Sequence, residues 1–150
     1  MFDGPLLAAM GAGLAVGLPG FGSAIGSGLG GASASGAIAE KKEMFVKGVI
    51  FAALPQTAVI LGFVIAMMIV GLISEEMSAT AGAWCFGAGL AVGIAGLTPV
   101  GQGPVAAAGI GSTARSPDTF TQNIIFTALP DISVVLGFVI AFMMIGQATV

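Results

Sequence analysis

Four long stretches of this chain carry almost no charge. Gly4 to Ala39, Gly48 to Ser74 and Met77 to Ala114 have none, and Thr119 to Val150 has one, Asp131. A helix that crosses hydrocarbon needs about 20 mostly apolar residues, and each stretch exceeds that. A bilayer offers no water to backbone N–H and C=O groups, so each stretch must satisfy its own, which favours helices. The expected fold is therefore an all-α membrane protein with four transmembrane helices. Composition agrees: 57% of the residues are hydrophobic and 7% charged, too few charges to cover a water-facing surface. The first stretch lacks a basic start and is too long for a signal peptide.

The connections are short: 39–47 (AEKKEMFVK), 74–80 (SEEMSAT) and 115–118 (RSPD). All four basic residues, Lys41, Lys42, Lys47 and Arg115, fall in the first and third. The positive-inside rule places loops 40–47 and 115–118 in the cytoplasm, with Glu75, Glu76 and both termini on the opposite side. There is no histidine and a single cysteine, Cys85, so neither an internal disulfide nor a Cys/His metal site is available. Cys85 is expected as a small packing residue. No basic patch suggests nucleic acid.

The chain repeats itself. Residues 51–68 (FAALPQTAVILGFVIAMM) match 126–143 (FTALPDISVVLGFVIAFM) at twelve of eighteen positions, and GAGLAVG occurs at 11–17 and again at 87–93. Two tandem helical hairpins are implied, 1–75 and 76–150, the second carrying the acid. Each holds an even number of helices, so both cross in the same direction, unlike inverted transporter repeats. The first and third helices are rich in glycine, with Gly13/Gly17 and Gly22/Gly26/Gly30 at i,i+4 in the first and Gly89/Gly93 in the third. Small residues at this spacing let helices approach closely. The glycines spread around much of the helix, which suits an inner wall built from many copies. Helices two and four carry the bulk and should face lipid.

Asp131 lies about 18 Å along the last helix when counted from Thr119 at about 1.5 Å per residue, close to mid-membrane. A charge there is expensive and marks function by default. No basic side chain lies in any of the spans, so the carboxyl must be neutralised by a proton, a small cation or a residue of another protein. Pro130 precedes it, and Pro55 holds the same place in the first repeat. Each proline removes an N–H and releases the carbonyl four residues back, that of Phe126 or Phe51. Gln56 stands where the second repeat has Asp131. Thr57 and Gln102 add further oxygens that could converge on one pocket, with Ser27 at the position of Gln102 in the first helix.

The doubled hairpin, the glycine-rich odd helices and the LPD…LGFVIA motif of helix four together resemble the proteolipid rotor-ring subunits (c or K type) of V-type and A-type rotary ATPases, over essentially the whole chain. The resemblance implies a rotor ring of identical subunits with glycine-rich helices inside and one ion bound by the helix-four acid. It also implies that the missing acid of helix two, here Gln56, is a common family feature. In the family's sodium-binding rings the ligands are the helix-four carboxylate, a helix-three glutamine, a helix-two threonine and the carbonyl of the leucine before the proline. These roles fall on Asp131, Gln102, Thr57 and Leu54, with Gln56 as a further candidate. The glutamine expected just after the threonine is replaced by Ala58, and the usual glutamate is an aspartate, one methylene shorter.

The implied activity is translocation of Na+ or H+ by a non-catalytic subunit of a rotary ATPase, coupled to ATP hydrolysis or synthesis elsewhere in the complex, with no organic cofactor. Its implied partners are a stator subunit with an essential arginine, central-stalk subunits at the cytoplasmic loops, and membrane lipid. A small proton-coupled multidrug antiporter is the alternative. It would want aromatic side chains around its acid for a hydrophobic cation, and this chain has no tyrosine and one tryptophan, Trp84, near a helix end.

Overall fold

A computed structural model describes residues 3–149; the terminal residues lie outside that range. Four helical spans cross it: Gly4–Glu40, Met44–Leu72, Ala79–Arg115 and Pro117–Ala148. Each is long and apolar enough to traverse a bilayer, and each agrees with a charge-poor stretch of the sequence to within a few residues.

The first span is one helix, α1 (Gly4–Glu40), capped by the Asp3 side chain on the Leu6 N–H. The other three are broken near mid-height. The second is α2 (Met44–Ala53), a tight turn at Leu54–Gln56, and α3 (Thr57–Leu72). The third is α4 (Ala79–Ala95), capped by Ser78, then α5 (Pro99–Arg115). The fourth is α6 (Phe120–Ala128) and α7 (Asp131–Ala148). Each interruption has a proline at or beside it, Pro55, Pro99 and Pro130, which removes one helical N–H; Pro19 and Pro104 lie inside continuous helices.

The first and third spans run side by side in the same direction and in repeat register. A Cβ on Gly11 would stand 2.5 Å from the Cys85 carbonyl oxygen, and one on Gly26 2.5 Å from that of Pro99. Gly82 and Gly89 close against the backbones of Gly4 and Gly11 in turn. Such approach is what glycine permits. The ladder Gly22, Gly26 and Gly30 is thus used inside the chain: Gly22 meets Gly96 and Leu97, Gly26 meets Pro99 and Pro55, and Gly30 meets Ala52. Gly13, Gly17, Gly28, Gly31, Gly36 and Gly101 have open space where a side chain would stand, and those are the glycines left for a neighbour.

The second span packs on the first and the fourth on the third, while α3 and α7 also touch each other. Large exposed apolar side chains concentrate on the second and fourth spans, among them Phe45, Phe63, Met67, Leu136, Phe142 and Met143. Two apolar cores result. One holds Ala8, Ala15, Ile65, Ile69, Cys85, Val92 and Ala141; the other holds Ala34, Met44, Phe51, Ala106 and Ile110. At the second core's end Lys41 donates to the Ala114 carbonyl, tying the two basic loops together. The helix breaks lie between the cores, and the polar groups of the spans gather there.

Candidate functional site

Asp131 opens α7, directly after the Pro130 break in the fourth span. Around the break the backbone bonds tighten to i→i+3, with Ile132 N on Leu129 O and Ser133 N on Pro130 O. Gln102, one turn into α5, is fully buried. Its amide nitrogen donates to the Thr127 carbonyl at 2.7 Å. The expected release of the Phe126 carbonyl therefore has a different expression: the carbonyl that a side chain captures at the break is the next one, Thr127. The bond pins the Gln102 amide and commits its oxygen to the opposite side, where Oε1 is buried with no partner.

Asp131 is half-buried, and the side chains of Gln102 and Thr57 are the polar groups that face its carboxyl. Neither closes a hydrogen bond to Oδ1, which is buried and unpartnered. The Thr57 hydroxyl donates instead to Leu54 O at 3.0 Å, across the break in the second span. It keeps lone pairs free, because a hydroxyl has two. The structure therefore assembles Asp131, Gln102, Thr57 and Leu54 from three spans into one place. Gln56 is turned elsewhere: it is exposed, and its amide donates to Ser27 Oγ at 2.7 Å.

That difference follows the repeat. Ser27 and Gln56 of the first hairpin correspond to Gln102 and Asp131 of the second, 75 residues on. Both pairs join an odd span to the next even one. In the first hairpin an amide meets a hydroxyl and the pair is satisfied. In the second a carboxyl meets an amide, and Asp131 Oδ1 and Gln102 Oε1 are left without a partner.

Sequence reasoning missed two further groups. Thr127 supplies the carbonyl that fixes Gln102, and its own hydroxyl donates to Asn123 O at 2.7 Å. Thr98, in the break of the third span, has a buried hydroxyl without a partner. The repeat could have exposed it, because its counterpart is Ser23, also a hydroxyl. Among the described residues, the buried side-chain polar atoms that lack partners are Thr98 Oγ1, Gln102 Oε1 and Asp131 Oδ1. Buried polar atoms are nearly always satisfied, so three orphaned oxygens, one of them a hydroxyl, mark the region of the breaks as unusual.

Comparison with known proteins identifies the family. The chain is 41% identical over 146 residues to the A-type ATP synthase subunit K of Methanocaldococcus jannaschii, covering 97% of this chain and 64% of the relative. It thus spans just under two thirds of that protein's length. It is 38% identical over 130 residues to the V-type sodium ATPase subunit K of Enterococcus hirae, covering 86% of this chain and 83% of the relative. The c-type proteolipid of the V-type proton ATPase of Candida tropicalis is 24% identical over 146 residues, covering 97% and 91%. The family of ATP synthase C-subunits matches twice, at residues 10–69 and 86–144, once in each repeat. With four apolar spans, two matched repeats and a relative of 38% identity aligned over most of both chains, this multi-pass membrane protein belongs to the ATP synthase C-subunit family.

Proposed function

We propose that the chain is a rotor-ring subunit of an A-type or V-type ATPase, and that Asp131 is the carboxylate that binds and releases the transported ion. The observation that carries this reading is the pair of buried, unpartnered oxygens on Asp131 and Gln102. A carboxylate and an amide oxygen that lack partners can ligate a cation. One carboxylate balances one monovalent charge, and hard monovalent cations take oxygen ligands, of which Gln102 Oε1, Thr57 Oγ1 and Leu54 O supply three more. Sodium is the ion this set favours, since a proton would need only one of them. The sodium ATPase name of the Enterococcus hirae relative points the same way. Gln56, bonded to Ser27, belongs to the corresponding uncharged position of the first hairpin.

The chemistry is then electrostatic. Facing lipid, Asp131 stays neutral with its ion bound, because an uncompensated charge is costly there. At a stator subunit a partner arginine draws the carboxylate off its ion. The ion leaves, another enters from the opposite side, and the ring advances by one subunit. ATP is cleaved or made elsewhere, so this subunit is not itself an enzyme. The two hairpins, 1–75 and 76–150, act as duplicated units. Loops 40–47 and 115–118 lie in the cytoplasm against the central stalk, and the acidic loop and the termini face the other side.

The test is labelling of purified rings with a hydrophobic carbodiimide, which attacks the protonated acid. Asp131 should be labelled, and millimolar Na+ should slow the labelling. Unlabelled Asp131 would remove it from the mechanism. Labelling indifferent to Na+, at every pH where Asp131 reacts, would make the ion a proton and leave Gln102 and Thr57 as hydrogen-bond partners of a neutral acid.

A further inference from the structure

We infer that Thr98 is a further oxygen ligand of the ion site, supplied by the break in the third span and standing in for the oxygen that Ala58 cannot provide. The inference rests on the sodium reading above and adds a residue to it.

Three observations converge. The first is position. Thr98 and Gln102 are one helical turn apart, joined by the Gln102 N to Thr98 O bond at 3.0 Å, so their side chains share a face. That face meets the fourth span, which runs antiparallel. Gln102 contacts Thr127, Gly109 lies against Asn123 and Gly137 lies against Ala95. One turn back along the third span is one turn forward along the fourth. The step from Gln102 to Thr98 therefore leads from Thr127 to Asp131.

The second is an unmet bond. Threonine in a helix ordinarily gives its hydroxyl to a carbonyl of the preceding turn. Here the turn is interrupted: Leu97 N bonds Ile94 O, Thr98 N bonds Ala95 O, and the Thr98 hydroxyl is buried and bonded to nothing. A buried hydroxyl is costly to leave unpaired, and the other buried side-chain atoms left without partners among the described residues are the Asp131 and Gln102 oxygens.

The third is the repeat. Ser23, the counterpart of Thr98, donates to Pro55 O at 2.7 Å and is fully packed. The first hairpin has Gln56 where the second has its acid, and its hydroxyl is spent on the backbone. In the second hairpin the equivalent carbonyl belongs to Pro130, which already accepts from Ser133 N. A carbonyl has a second lone pair. With an ion bound, the Thr98 proton turns to Pro130 O, as Ser23 does to Pro55 O, and its lone pair faces the cation. The same hydroxyl that closes the empty first site opens toward the occupied second one.

The experiment is equilibrium binding of radioactive sodium to purified rings, with Asp131→Asn as the blank. Thr98→Val keeps the shape and removes the oxygen; Thr98→Ser keeps the oxygen and removes the methyl group. The dipole of one hydroxyl on a charge is worth about a factor of ten in affinity, so Thr98→Val should weaken sodium binding about tenfold and Thr98→Ser should bind as the unmodified ring does. If Thr98→Val rings do not assemble, Thr98→Ala is read in their place with the same expectation. Weakened binding in Thr98→Ser with unchanged Thr98→Val would make the residue a packing element and overturn the inference. Unchanged binding in all the variants would overturn it too. Absence of saturable sodium binding to unmodified rings is a different result, and it removes the sodium reading itself.

Discussion

Replacing Gly26 by alanine tests how the site is held. The new methyl carbon would stand 2.5 Å from the Pro99 carbonyl oxygen, 2.8 Å from Pro55 Cβ and 3.1 Å from the Pro99 carbonyl carbon. Carbon atoms are comfortable at about 3.5–4.0 Å. Neither obstacle is a flexible chain end: one is backbone and the other a proline ring. Overpacking of this kind costs about 1–3 kcal/mol. Alanine also favours the helix over glycine by up to about 1 kcal/mol, which obscures the clash in a single measurement. Gly13→Ala removes that ambiguity. It carries the same helix preference in the same helix, and nothing stands within 4 Å of its new carbon. The difference between the two variants is the clash alone, about 1–3 kcal/mol in favour of Gly13→Ala. Denaturant titration of the dissociated subunit in detergent, followed by helical circular dichroism, reads it without contributions from neighbours. A second consequence is local. Pro55 lies between Leu54 and Thr57, two of the proposed ligands, so Gly26→Ala should also weaken sodium binding while Gly13→Ala does not. Equal stabilities to within about 0.5 kcal/mol, the usual effect of an innocuous surface change, would refute the packing argument.

Asp131→Asn should abolish ion transport and ion-coupled ATP turnover while rings still assemble, measured in reconstituted vesicles; residual transport would reject the carboxylate. Gln102→Leu removes one ligand oxygen and strands the Thr127 carbonyl, and should raise the sodium concentration that protects Asp131 from carbodiimide about tenfold. Gln56→Leu loses its bond to Ser27 at a partly solvated site and should leave transport within about twofold, because neutral hydrogen bonds contribute about 0.5–1.5 kcal/mol. Gly17→Leu adds bulk to a face that is open within the chain. It should spare the folding of the subunit and lower the yield of rings on a native gel.

The spans were legible in the sequence because a charge-free stretch of such length has few other destinations. Their breaks at Pro55 and Pro130 were legible because proline cannot donate. Three things were not. The glycines look alike in one dimension, and only the packing separates Gly26, closed on Pro99, from Gly13, open on its outer side. Gln56 is a site candidate in the sequence because it stands where the second repeat has Asp131 and adjoins Thr57. Successive helical residues point about 100° apart, and that rotation sends Gln56 to Ser27 while Thr57 faces Asp131. Thr98 was hidden because a lone threonine in a span usually bonds its own helix. Its significance comes from its place at the Gly96–Thr98 interruption, where its hydroxyl is buried without a partner.

The two hairpins repeat one plan but differ at the polar pair that joins each odd span to the next even one. Ser27 with Gln56 is a donor meeting an acceptor, and it closes on itself at 2.7 Å. Gln102 with Asp131 is an amide meeting a carboxyl: the Gln102 nitrogen gives one N–H to Thr127 O, and Gln102 Oε1 and Asp131 Oδ1 are left without a partner. The first arrangement has no charge to exchange, so a stator arginine passing it would find nothing to displace. The second, under the proposed function, takes the ion. Under the rotor reading each protomer therefore moves one ion per turn, although it contains two hairpins. For a fixed number of ATP molecules per turn, a ring of such protomers delivers about twice the free energy to each ion that a ring of equal helix number with an acid in every hairpin would deliver. Such a gearing suits pumping against a steep gradient. The ion-to-ATP ratio, measured together with the number of protomers in the same rings, decides it. A ratio matching protomers fits a silent first hairpin. A ratio matching hairpins would mean that the Ser27–Gln56 pair opens and carries an ion after all, and the distinction between the two pairs would fall with it.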